Sequence, residues 1–251
     1  MTGAALVTGA GQRIGRAIAL DLAQAGYAVA LHCHRSRLAA DELAAEIMTS
    51  GGNAAVIVAD LADTAAVQRI VPQAAQAVGP LDVLVNNAAV FEMDTIETAT
   101  AQSWDFHLDI NLKAPFFLSQ AFAAQLPKAA EGNIVNLIDM RVWRLTPYFA
   151  SYTVSKAGLW TLTQTLAMAL APRIRVNAIG PGPSLPSQRQ SEAQFARQVA
   201  DTPLKRGASP EEIAAAVRFL LDARSMTGQM LALDGGQHLP WRSGPKTEEA
   251  E

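Results

Sequence analysis

Seven short apolar, β-prone runs recur along this chain, at 3–8, 27–33, 53–59, 81–85, 132–139, 173–179 and 229–233. Between them, AIALDLAQAG, RLAADELAAEIMTSGG, TAAVQRIVPQAAQAV, LKAPFFLSQAFAAQL and SKAGLWTLTQTLAMALA carry apolar residues at helical spacing, and several stop at Gly or Pro as helix ends do. Strands that alternate with helices predict an α/β fold, a doubly wound parallel seven-stranded sheet with helices on both faces. A chain of 251 residues, half of them hydrophobic, has ample core for this. The pattern shows no linker, so residues 1–240 read as a single domain. Two stretches are less regular: 183–205, rich in Pro, Ser, Gln and Arg, and a polar tail at 241–251.

A net charge of -3 offers no basic stripe for nucleic acid, so a small-molecule ligand is expected. The single cysteine, Cys33, cannot form an internal disulfide. The N-terminus lacks the pattern of a secretory leader, and no apolar run reaches membrane-spanning length, which makes a cytoplasmic location the expectation.

The first strand runs into TGAGQRIG, which places Gly9, Gly11 and Gly15 at a strand-to-helix turn. Glycines there let the backbone approach a pyrophosphate, whose charge meets the amides and positive dipole end of the following helix. This is Rossmann-type dinucleotide chemistry, although the spacing is TGxxxRxG, with Arg13 where a third glycine is usual. After the second strand comes LHCHRSR. A site for NAD usually holds the ribose hydroxyls with an acidic residue about 20 positions beyond the glycines. No Asp or Glu lies between Asp21 and Asp41, and His34, Arg35 and Ser36 stand at that place. A guanidinium can clamp a 2'-phosphate with paired hydrogen bonds where a carboxylate would repel it, so NADPH is the expected cofactor.

The stretch DMRVWRLTPYFASYTVSK puts Asp139 thirteen positions before Tyr152, and Lys156 four positions after it. Tyr152 and Lys156, at i and i+4, share a helix face and bring a phenol near an ammonium. A phenol titrates at about 10 when free, and a neighbouring positive charge lowers it toward useful proton transfer.

These residues resemble the short-chain dehydrogenase/reductase family over essentially the whole chain to about residue 240. The likeness rests on TGAGQRIG, Asp60-Leu61, NNAA at 86–89, Asn111, the YxxxK pair, PG at 181–182 and LDGG at 233–236. It implies that Tyr152 is the catalytic acid, that Lys156 binds the nicotinamide ribose and lowers the tyrosine pKa, and that Asn111 holds a water in a proton relay. By the same resemblance the cofactor is bound by Gly9, Gly11, Arg13, Ile14, Gly15, His34, Arg35, Ser36, Asp60, Leu61, Asn87, Ala88, Lys156, Pro181, Gly182 and Ser184. The family's substrate lid falls at 183–205. Helices at 112–127 and 152–171 resemble those that build the family's tetramers, so a homotetramer is expected. No residue is assigned to a metal.

Two departures narrow the reading. Most family members carry a serine where this chain has Asp139, and that hydroxyl donates to the carbonyl oxygen being reduced. A carboxylate only accepts hydrogen bonds and disfavours a developing alkoxide. Beside a C=N bond it stabilises the protonated, iminium-like form and can orient Tyr152 toward nitrogen. Arg13 is the second departure. With HRS at 34–36 and Phe91, these features resemble the pteridine reductases and dihydromonapterin reductases. That likeness implies a pterin substrate touched by Arg13, Phe91, Asp139 and Tyr152, with Phe91 stacking the flat ring against the nicotinamide. Ser184 would contact the pterin or the cofactor diphosphate. The polar residue expected two before Phe91 is instead Ala89. The expected activity is NADPH-dependent reduction of a dihydropterin. Two alternatives are a carbonyl or 3-oxoacyl reductase, and an NADP-sensing protein without chemistry, against which the intact Tyr152 and Lys156 weigh.

Overall fold

The computed structural model describes residues 3–186 and 190–239. The tail at 241–251 lies outside the described residues, as do positions 187–189 of the 183–205 segment.

Among the described residues, the strands are β1 (Gly3–Val7), β2 (Tyr27–Cys33), β3 (Ala54–Val58), β4 (Val83–Asn86), β5 (Gly132–Leu137), β6 (Ile174–Pro181) and β7 (Met230–Leu233). They form one sheet in the order β3-β2-β1-β4-β5-β6-β7, and every neighbouring pair is parallel. The helices are α1 (Arg13–Gln24), α2 (Arg37–Thr49), α3 (Thr64–Val78), α4 (Ala101–Leu108), α5 (Ala114–Gln125), α6 (Ala150–Leu170), α7 (Glu192–Ala200) and α8 (Pro210–Asp222).

The strands read as continuous apolar runs because both faces are covered. Side chains alternate between faces, so Ala4 and Leu6 of β1 join a core cluster with α3 and α5, whereas Ala5 and Val7 join one with α1, α2 and α8. β1 thus divides its apolar residues between two cores.

The helix termini follow local chemistry. The Asp63 carboxylate accepts the amides of Ala65 and Ala66 at 2.8 and 3.2 Å at the start of α3. Ser209 and Glu212 form a reciprocal capping box on α8. The structure differs from expectation at the helix foreseen over LKAPFFLSQAFAAQL. The chain is already helical from Ala101, passes through a π turn at Asp109–Lys113, and continues as α5. No apolar stripe marks α4, because His107 is its one buried residue. The irregular 183–205 segment likewise contains a helix, α7, started by a Ser191–Gln194 capping box.

Strand order reverses between β1, which turns toward β2, and β4, which leads away to β5. In such sheets the crevice beyond the carboxyl ends of the strands at the switch point receives the ligand. The turn after β1 and the loop after β4 both end there.

Candidate active site

The turn from β1 into α1 is shaped for close backbone approach. Gly9 has φ +64°, a region side chains rarely adopt. A Cβ on Gly15 would lie 2.1 Å from the Gly9 carbonyl oxygen. No side chain caps the start of α1, whose amides remain available to an anion. Gly11 lies close against the backbone and hydroxyl of Ser36, so the β1 and β2 loops form one continuous surface. Ser36 precedes α2 and does not cap it with its own side chain. Arg35 is exposed, with no hydrogen bond or ion pair among the described residues, whereas Arg37 is engaged with Asp41 at 3.2 Å. His34 lies 3.8 Å from the Asp60 carboxylate, which accepts the Ala62 amide at 2.9 Å. Leu61 is buried in one core cluster, and Ile14 packs partly buried against the other.

The loop after β4 is fastened to the glycine turn. Asn87 donates through Nδ2 to the Thr8 carbonyl at 2.8 Å, and the Thr8 hydroxyl accepts the amides of Asn87 and Ala88 at 2.9 and 3.0 Å. Sequence reasoning gave Thr8 no role of its own, although it stands in the motif. It also passed over His32. The Gly9 amide can only donate, so His32 Nδ1 accepts from it at 3.3 Å and Nε2 carries the proton, donating to the Ala59 carbonyl at 3.2 Å. Burial pushes this imidazole down to about 4, so it stays neutral and braces the turn. Nothing local marks His32, since its partners lie on two other strand ends.

On the β5 side, Asp139 begins a short 3₁₀ turn, Met140–Val142, and its Oδ1 accepts the Arg141 amide at 2.8 Å. Its Oδ2 accepts the Tyr152 hydroxyl at 2.9 Å. Tyr152 and Lys156 project from the same face of α6, and both are buried. Lys156 donates to the Leu137 carbonyl at 2.8 Å, and its Nζ lies 5.9 Å from the centre of the Tyr152 ring. One expectation is corrected here. The phenol is pushed well above its ordinary range rather than below it, first by burial, then by the charge and hydrogen bond of Asp139. The cation that offsets this is Arg141, not Lys156. Burial in turn lowers the Lys156 ammonium to about 8, against the pull of Asp139. The phenol is thus held neutral, with its proton directed at the Asp139 carboxylate and the Lys156 ammonium beside the ring.

Asn111 lies in the π turn, a feature common at functional sites. Its carboxamide accepts the Val90 amide at 2.9 Å and donates to the Val90 carbonyl and to Ser155 Oγ, both at 3.0 Å. Both N–H groups are therefore used, and the oxygen keeps one lone pair for a water. Phe91 follows at once. Its ring stacks on Phe149 at 4.3 Å and 10°, and meets the edge of Tyr152 at 4.7 Å and 72°. Phe91 is thus packed between Phe149 and Tyr152 and remains partly exposed. The Arg141 guanidinium flanks this pair, 4.9 Å from Phe149 and 5.9 Å from Phe91.

Arg13 has φ +55° and donates to the Leu185 carbonyl at 3.2 Å, which ties the glycine turn to the start of the lid segment. The Gly182 amide donates to Leu233 at 3.0 Å, next to Pro181, and Ser184 Oγ donates to the Gly182 carbonyl at 3.2 Å. At the end of this segment, Lys205 donates to the Ala200 carbonyl, and the next residue, Arg206, pairs with Glu212. Arg189 lies outside the described residues.

Comparison with known proteins covers nearly the full chain. A family model described as enoyl-(acyl carrier protein) reductase matches residues 9–238. The 3-oxoacyl-(acyl-carrier-protein) reductase FabG of Staphylococcus aureus is 36% identical over 244 residues, 95% of this chain and 99% of that protein. The structure of FolM alternative dihydrofolate reductase 1 from Brucella suis in complex with NADP aligns with a TM-score of 0.94 at 49% identity, over 96% of this chain and 97% of that one. A short chain dehydrogenase from Burkholderia cenocepacia, also in complex with NADP, aligns at 0.88 and 36% identity, over 94% of this chain and 97% of that one.

Proposed function

The chain belongs to the short-chain dehydrogenase/reductase family, and we propose that it is an NADPH-dependent reductase of the C=N bond of a dihydropterin, giving the tetrahydropterin. The observation that carries this reading is the 2.9 Å hydrogen bond from the Tyr152 phenol to the Asp139 carboxylate. A ketone reductase places a second donor where this chain has an acceptor.

The residues fit NADPH. Gly9, Gly11 and Gly15 let the turn pack tightly against Asn87, Ala88 and Ser36 at the start of α1, which no side chain caps and whose first amides suit a diphosphate. Arg35 and Ser36 stand where a 2'-phosphate is recognised, and Lys156 has two N–H groups beyond its bond to Leu137 for ribose hydroxyls. When bound, NADPH supplies the hydride. The protein's part is placement and protons: the partly exposed Phe91 ring borders the flat ring beside Tyr152, and Asp139 favours the positive charge that grows as the ring nitrogen is protonated. Tyr152, which shares its proton with Asp139, delivers it to that nitrogen. C=N becomes CH–NH, with one hydride on carbon and one proton on nitrogen.

The likeness to a dihydrofolate reductase crystallised with NADP supports this reading. The likeness to FabG and to the enoyl reductase model favours a second, 3-oxoacyl reduction, which uses the same tyrosine and lysine. The test follows NADPH oxidation against dihydrobiopterin, dihydromonapterin, dihydrofolate, a 3-oxoacyl thioester and simple ketones, for the unmodified protein and Asp139→Ser. We expect dihydropterin turnover that falls by about tenfold or more in Asp139→Ser, the size of losing one group that acts in the transition state. Brisk thioester turnover without pterin turnover would transfer the assignment to the second reading, and undiminished pterin turnover in the variant would remove Asp139 from the mechanism.

We also infer a homotetramer built on α5 and α6, which present Phe116, Val154 and Met168 to solvent in the single chain. A monomer mass by light scattering would overturn it.

A further inference from the structure

A buried polar cluster lies directly beneath the catalytic phenol and plays no part in the chemistry above. Asp94, Ser151 and His107 are each at most 2% exposed, and they come from the loop after β4, the first turn of α6, and α4. Ser151 Oγ donates to Asp94 Oδ2 and lies 2.7 Å from His107 Nδ1. The Glu92 amide donates to His107 Nε2 at 3.0 Å, so the imidazole proton sits on Nδ1, shared between Ser151 Oγ and the Ser103 carbonyl at 3.0 Å. The same three residue types make hydrolytic triads, but this arrangement is not one. Ser151 is fully buried and sits between the other two, giving its proton to the carboxylate rather than to the imidazole.

What the cluster does follows from the start of α6. The first amides of a helix lack internal partners, and the residue before α6, Phe149, caps nothing with its side chain and is held at φ +59°. Asp94 takes over that task from another segment. Its carbonyl accepts the amides of Phe149 and Ala150 at 2.7 and 3.4 Å, and its Oδ1 accepts the amide of Ser151 at 3.2 Å. A carboxylate here also meets the positive end of the α6 dipole. Tyr152 is the next residue. At the other end of the cluster, His107 fixes Glu92, the residue after Phe91, and its ring lies 5.9 Å from that of Tyr152.

We propose that Asp94, Ser151 and His107 are positioning residues that hold the Phe91 ring and the Tyr152 hydroxyl in fixed register across the substrate slot. This rests on the reading of Tyr152 as the proton donor and Phe91 as the stacking face. The cluster bolts the loop that carries the ring to the helix that carries the acid, at Glu92 and at Asp94, and sets their 4.7 Å edge-to-face contact. The cofactor turn, on the far side of Asn87, is not part of it.

The test is Ser151→Ala, which removes the hydroxyl and leaves the backbone bond to Asp94. Purified full-length variant and unmodified enzyme are compared for melting temperature, NADPH affinity by fluorescence, and kcat and KM, well below either melting point. The acceptor is whichever the unmodified enzyme reduces, dihydropterin or 3-oxoacyl thioester. A wrong substrate assignment then shows in the unmodified enzyme, and a wrong positioning assignment shows only in the variant. We expect kcat to fall by about ten- to a hundredfold, the cost of a misplaced reacting group, with NADPH affinity within about twofold. An unchanged kcat, or a loss matched by equal loss of NADPH binding, overturns the proposal. If the alanine variant does not fold, Asp94→Asn, which keeps the shape and removes the charge, is read by the same two outcomes.

Discussion

Acid should loosen the cofactor turn through one side chain, His32. The imidazole is 1% exposed, and both of its nitrogens are committed as a neutral ring, Nδ1 to the Gly9 amide and Nε2–H to Ala59. Protonation would point a new N–H at the Gly9 N–H and place a charge among β-strand ends. The folded ring titrates at about 4, chiefly because of burial, against 6.5 when exposed in the unfolded chain. A depressed folded value means that the unfolded chain binds more protons between these two pH values, so stability is complete above about 6.5 and declines as pH falls toward 4. A gap of about 2.5, at about 1.4 kcal/mol each, amounts to about 3 kcal/mol, a large fraction of a domain's net stability. The assay is urea unfolding of the unmodified protein and His32→Gln from pH 8 to 4. Glutamine cannot titrate, so contributions from groups distant from His32 cancel in the difference. The unmodified protein should lose about 3 kcal/mol relative to the variant between pH 6.5 and 4, and nothing between 8 and 7. Parallel stability curves for the two proteins would refute the reasoning.

Two more expectations come from the same site. Arg35→Ala should raise KM for NADPH by about ten- to a hundredfold, the loss of a charged hydrogen bond, and leave NADH kinetics unchanged; equal effects on both cofactors would remove Arg35 from phosphate recognition. Lys156→Met should abolish turnover and also reshape the alkaline stability profile. The folded ammonium titrates at about 8 against 10.5 unfolded, so Lys156 contributes stability present above 10.5 and lost as pH falls through 8. Relative to the methionine variant, the unmodified protein should therefore gain about 3 kcal/mol in denaturant unfolding between pH 8 and 10.5, and a flat difference would contradict the burial of this charge.

Much of the architecture was readable from local order. The seven runs expected as strands coincide with β1 to β7 to within a few residues at each end, because apolar runs between turns and helical periodicity are properties of neighbours in sequence. The glycine turn, the absence of an acid after β2, and the shared face of Tyr152 and Lys156 were legible for the same reason. α4 was not, since it buries one residue and carries no stripe, nor was α7, whose residues all remain at least partly exposed.

Sequence by itself determined which groups the candidate site offers: the phenol, the ammonium, the carboxylate at 139 and the basic HRS segment. Tertiary structure alone decided what they do to one another. The upward push on Tyr152 comes from burial and from a carboxylate thirteen positions away, and the offset comes from Arg141 rather than Lys156. His32 meets Gly9 across 23 positions, Ser151 meets Asp94 across 57, and Arg13 meets Leu185 across 172. A parallel sheet joins its strands by crossovers, so the ends that share a crevice lie far apart in the chain, and no local pattern records which side chains will face each other there.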